Sequence, residues 1–129
     1  MSRSEAGTFQ FTGAYTNVRG SVGSIQPNGK ARRLIVEASI DGTSGTVTGF
    51  DVQLQAHPNA APFVFLQDTD FQSGSNTNLR FCTTIGPNQL AASQASNFII
   101  DIPAAHIVIF RAVSATSGNM TIRGRSQDF

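Results

Sequence analysis

The sequence predicts an all-β chain, an antiparallel β-sandwich of jelly-roll type with about seven or eight strands. Three observations carry that expectation. Apolar and polar residues alternate along short runs, the period of a strand whose two sides meet different surroundings. Gly, Pro, Asn and Asp stand between those runs as turn residues. The stretch with most helical character, around residues 90–95, is too short and polar for more than one turn. The 129 residues suffice for one domain with its own core. They divide into a flexible N-terminal arm over residues 1–13 and a single sandwich over residues 14–129. Ten Phe residues supply much of the core, each worth roughly 1.5–3 kcal/mol when fully buried.

Taken in order, residues 1–7 are small and polar. Residues 8–12 alternate, with Phe9 and Phe11 on one side. Two readings fit those rings: an edge strand closing the core, or an arm that docks on a neighbouring subunit. Glycines between Gly13 and Gly23 mark loop or a weak strand around Tyr15, Val18 and Val22. Pro27-Asn28-Gly29 is a turn. It precedes the run 31–40, whose Leu34, Val36, Ala38 and Ile40 share a face opposite Arg33, Ile35, Glu37 and Ser39. A short link at 41–45 joins it to residues 46–56, with Phe50, Val52 and Leu54 inward, and the pair reads as a hairpin.

Pro58 and Pro62 interrupt the pattern before a short apolar strand at 63–66. Residues 68–78 read as an exposed polar loop, with Phe71 its one large apolar residue. Residues 79–85 alternate as a strand, and 98–102 form another before Pro103. The last third organises the domain. Residues 107–114 are apolar on both faces, as in a central strand, and a turn at 115–119 returns the chain through Met120 and Ile122 as a hairpin. The face shared by Ile107, Ile109, Arg111 and Val113 is too apolar for open water, so it meets the other sheet or another subunit.

Groupings that carry chemistry are sparse, and the chain reads as a protein with no enzymatic activity and no cofactor. His57 and His106 lack the spacing of a metal site, which needs three or four converging ligands. Asp68 and Asp70 are a close acidic pair without the glycine and terminal Glu of a calcium loop, and they read as solvated. Asp41 is a turn residue. Cys82 reads as a buried or half-buried structural thiol in mid-strand; alone, it excludes an intrachain disulfide. Asn119-Met120-Thr121 fits a glycosylation sequon, but nothing directs the chain to a secretory route. The formal charge is +1 and charged residues make up 13%, against the basic excess of a nucleic-acid binder. Arg and Lys near residues 30–33, and Arg123 with Arg125, read as a protein-contacting or solvated edge. No run approaches the roughly twenty apolar residues of a membrane span.

The segment ARRLIVEASIDGTSGTVTGFDVQL, with Ser39-Ile40-Asp41-Gly42-Thr43 at its turn, and the segment AAHIVIFRAVSATSGNMTIRGR near the C-terminus resemble the small β-sandwich virion proteins of tailed bacteriophages. Where many of those proteins carry a Trp after the first turn, this chain has Ser44-Gly45-Thr46. The resemblance covers about half the chain and implies a structural role. Its leading form is a capsid decoration, or cement, protein on the capsid exterior, made in the host cytoplasm. Its partners would be the major capsid protein and its own copies, with a trimer favoured, and neither nucleic acid nor membrane. A tail-tube or head-completion subunit and a carbohydrate-binding tail module are the alternatives. The residues expected at the protein interface are Phe9, Phe11, Arg32, Arg33, Arg123, Arg125 and Phe129.

Overall fold

The alternating runs do form strands, but two sheets share them in a way that alternation alone does not specify. The computed structural model describes residues 7–26, 31–41, 46–73, 76–103 and 106–128. Among these, nine strands form: β1 (Thr8–Tyr15), β2 (Gly20–Ile25), β3 (Ala31–Ile40), β4 (Val47–Gln55), β5 (Phe63–Leu66), β6 (Leu79–Phe81), β7 (Ala95–Asp101), β8 (Ile107–Ser114) and β9 (Gly118–Asp128). A helix, α1 (Asp68–Ser73), and a 3-10 turn at Pro87–Gln89 complete the elements. One sheet has the order β1-β9-β3-β7-β6 and the other β2-β8-β4-β5, with every pairing antiparallel. This is an all-β sandwich. Residues 1–6 of the expected arm, the Pro27-Asn28-Gly29 turn, residues 42–45 and Phe129 lie outside the described residues.

The core fills the space between the sheets. Phe50 of β4 sits at its centre, its ring 5.0 Å from that of Phe71, 6.0 Å from Phe98 and 6.2 Å from Phe110. Leu34, Val36, Ala38, Ile100, Met120 and Ile122 from one sheet meet Val52, Leu54, Val108 and Ala112 from the other, all essentially without solvent exposure. Their period of two is the alternation seen in the sequence.

Two expected hairpins are corrected. β8 lies between β2 and β4, whereas β9 lies between β1 and β3 in the opposite sheet. Residues 115–117 therefore carry the chain across the sandwich. At the crossing, the Ser114 backbone N–H donates to Thr16 O (3.0 Å) and its hydroxyl to Thr46 O (2.7 Å), so the end of β8 is bonded to neighbours other than β9. β3 and β4 likewise belong to opposite sheets. An apolar stripe is buried equally well by folding over the core or by lying beside its successor, and alternation is the same in both.

Other differences have local causes. From Thr8 onward the expected arm is the edge strand β1, paired along its length with β9. The weak stretch after Gly13 is strand: β1 runs to Tyr15, and β2 begins at Gly20. The glycines there permit a close approach. A Cβ on Gly13 would stand 1.9 Å from Val22 O, and one on Gly23 (φ +154°) would stand 2.2 Å from the Phe11 ring. The expected polar loop contains α1, because Asp70 Oδ2 accepts the Gln67 N–H (2.8 Å) at the helix start while Phe71 is fully buried against Phe50 and Phe98. The helical turn falls at Pro87–Gln89, just before the buried Leu90. β6 stops at Phe81, and Thr83 takes over with its side chain, accepting from the Asn97 N–H (3.1 Å) and donating to Ile85 O (3.2 Å). Cys82 is exposed rather than buried.

Candidate protein interface

The outward side chains of the five-stranded sheet stand in cross-strand rows, since every second residue of a strand faces away from the core. One row runs Thr8, Arg125, Ile35, Ile99, Arg80 across β1, β9, β3, β7 and β6. Arg80 and Arg125 are exposed, and Ile35 and Ile99 are half-buried. On one side of it Arg33 grips Asp101, Nε to Oδ1 at 2.7 Å and a terminal nitrogen to Oδ2 at 3.3 Å. That bond, foremost, holds the Arg33 guanidinium above its ordinary pKa. On the other side Arg123 Nε donates to Glu37 Oε1 at 2.6 Å. The flanking arginines are neutralised within the sheet. No carboxylate among the described residues is paired with Arg80 or Arg125. A shallow depression of about 390 Å³ lies over this region, lined by residues that include Gln10, Ile35, Asn97, Arg123 and Arg125.

Three of the arginines expected at an interface, Arg33, Arg123 and Arg125, are thus brought onto one face. Arg32 is not among them. It sits at the bulge opening β3, where its carbonyl accepts the Ile102 N–H at 2.8 Å. Phe9 and Phe11 belong to the inner side. Phe9 is 7% exposed, and Phe11 is half-buried with its ring 6.0 Å from that of Phe110. This fold presents neither ring outward. Arg80, Ile35 and Ile99, which share this face, were not among the residues expected there. Alternation sets Arg80 on the face opposite Leu79 and Phe81, but only the strand order makes it a neighbour of Ile99.

The outward side of the four-stranded sheet holds the other charge cluster. Arg111 of β8 binds Asp51 of β4 through both carboxylate oxygens, at 2.8 and 2.6 Å. Arg19, in the connection from β1 to β2, reaches the same Asp51 at 3.4 Å and clasps Asp68 at the start of α1 at 2.8 and 2.5 Å. Asp68 also accepts the Phe50 N–H (2.9 Å), and its hydrogen bond is the leading cause that raises the Arg19 pKa. Asp51 is 5% exposed. Ile107, Ile109 and Val113 share this face, half-buried on its outward side, so the face too apolar for water is not turned to the other sheet. Asp68 and Asp70 were expected to be solvated; Asp68 is instead an ion-pair partner of Arg19, and Asp70 accepts the Gln67 N–H at the helix start. Among the described residues, no three His, Cys, Asp or Glu side chains are grouped to hold a metal ion. His57 lies in the turn closed by the Ala60 N–H, and the His106 ring meets Phe63 edge-on at 6.0 Å.

No protein-family model and no curated protein matches the sequence. Among solved structures the chain is similar to the SPBc2 prophage-derived protein YomS, at a TM-score of 0.51 and 16% identity, over 98% of this chain and 97% of that one. The likeness is one of fold. It spans both chains nearly end to end.

Proposed function

We propose that this chain is a structural virion protein of a tailed phage, acting as a capsid decoration protein that binds the assembled shell and stabilises it without chemistry of its own. The observation that carries the reading is the near end-to-end fold likeness to a prophage-derived protein, YomS. It is supported by the sequence resemblance to phage virion sandwiches at residues 31–54 and 104–125. The outward face of the five-stranded sheet adds to it, with half-buried isoleucines between arginines that pair with no carboxylate among the described residues, a composition suited to contact with protein.

In this reading the partners are the major capsid protein and further copies of the chain, arranged as a symmetric oligomer with a trimer favoured, on the exterior of the virion. Each contact is modest, and repetition over the shell turns modest affinity into firm attachment. The test is co-sedimentation of the purified protein with empty shells of the same phage, paired with its mass in solution and electron micrographs. Saturable binding at a fixed ratio to the capsid subunit supports decoration. Rings or tubes of the protein alone, with no binding to shells, would move the assignment to a tail-tube or head-completion subunit. Binding to glycans instead would favour a carbohydrate-binding tail module.

A further inference from the structure

We propose that the row Arg125, Ile35, Ile99, Arg80 is the contact site for a protein surface that presents two carboxylates on either side of an apolar ridge. This rests on the structural reading above and adds the partner's chemistry and the face that meets it. Four neighbouring strands carry the row. At about 4.8 Å between strands, the two arginine positions lie ~14 Å apart, a span that one strand or helix of a partner covers. The isoleucines between them give a strip of apolar surface to remove from water. The rows on either side present Arg33 with Asp101 and Arg123 with Glu37, so excess positive charge is concentrated in the central row.

That pattern decides the occupant. A second copy docking by the same face would set arginine against arginine or isoleucine, leaving like charges close and uncompensated. Nucleic acid would bring phosphates beside Glu37 and Asp101, and the row offers no aromatic ring on which a base could stack. An acidic protein surface satisfies both guanidiniums with paired, charge-assisted hydrogen bonds and covers the isoleucines at once.

The test compares the full-length protein with two variants of equal net charge. R80Q/R125Q removes both positive charges from the row. V18E/S24E adds two negative charges at exposed positions outside it, Val18 being 70% exposed. Both variants carry exposed changes and should keep the wild-type melting temperature. Binding is measured to empty shells, to tail tubes of the same phage, and to duplex DNA, at low and at high salt. The expected result is that R80Q/R125Q weakens protein binding about 100-fold, as for the loss of two interface arginines, while V18E/S24E stays within about threefold. Wild-type binding should also fall as salt rises. Equal loss in both variants, or none in R80Q/R125Q, would overturn the site. Arginine-dependent binding to tail tubes but not to shells would keep the site and remove the decoration reading. Binding to DNA alone, or to none of the three at low salt, would overturn the site.

Discussion

The two outward faces of the sandwich both carry arginine and treat it in opposite ways. On the four-stranded sheet Arg19 and Arg111 close on Asp51 and Asp68, and one nearly buried carboxylate ties β4, β8, the β1–β2 connection and, through Arg19, α1 together. On the five-stranded sheet Arg33 and Arg123 are paired, but Arg80 and Arg125 stand beside isoleucines without a carboxylate among the described residues. Charge locked inside the fold holds elements in place. Charge left over on a half-apolar surface is available to another molecule.

That comparison breaks if stability and binding do not separate between the faces. The largest effect on folding belongs to Asp51→Ala. It strands the partly buried Arg111 guanidinium and removes the weaker of the two contacts of Arg19, which keeps Asp68, and should cost about 3 kcal/mol in urea unfolding, as when one partner of a buried ion pair is removed. Arg19→Ala leaves Arg111 on Asp51 but frees Asp68 from its clasp. A loss of about 1–2 kcal/mol is expected, with faster amide exchange in α1 than in β4. Glu37→Ala on the opposite face removes an ion pair whose arginine is 59% exposed, and should cost under about 0.5 kcal/mol. The smallest change is that of R80Q/R125Q, within about 0.5 kcal/mol of wild type. A drop of several kcal/mol there would show that these arginines serve the fold after all.

Much of the fold was legible because burial follows a period of two. The buried sets Leu34–Val36–Ala38 and Phe50–Val52–Leu54 are the ones that alternation grouped on one face. For residues 107–114, apolar on both faces, alternation left the inward face open, and Val108, Phe110 and Ala112 are the buried ones. Strand order was not legible. Whether residues 115–117 make a hairpin or a crossing depends on which backbone groups Ser114 finds, and those belong to Thr16 and Thr46, far away in sequence. For the same reason Arg125 was recognisable as outward and Arg80 as lying opposite Leu79 and Phe81, but not as ends of one row. Phe71 was read as part of an exposed loop because its neighbours are polar. It is buried because three other rings, Phe50, Phe81 and Phe98, converge where it sits. Of the two readings of Phe9 and Phe11, an edge strand closing the core and a docking arm, the pairing of β1 with β9 supports the edge strand; their spacing of two put them on one face, and that face is the inner one.

The most direct measurement is a cryo-electron microscopy reconstruction of shells saturated with the protein, at a resolution that shows side chains. The expected result is the five-stranded sheet turned toward the shell, with a carboxylate within hydrogen-bonding distance of Arg80 and another at Arg125, and shell side chains over Ile35 and Ile99. A shell contact made through the outward face of the four-stranded sheet, with Arg80 and Arg125 facing solvent, would contradict it.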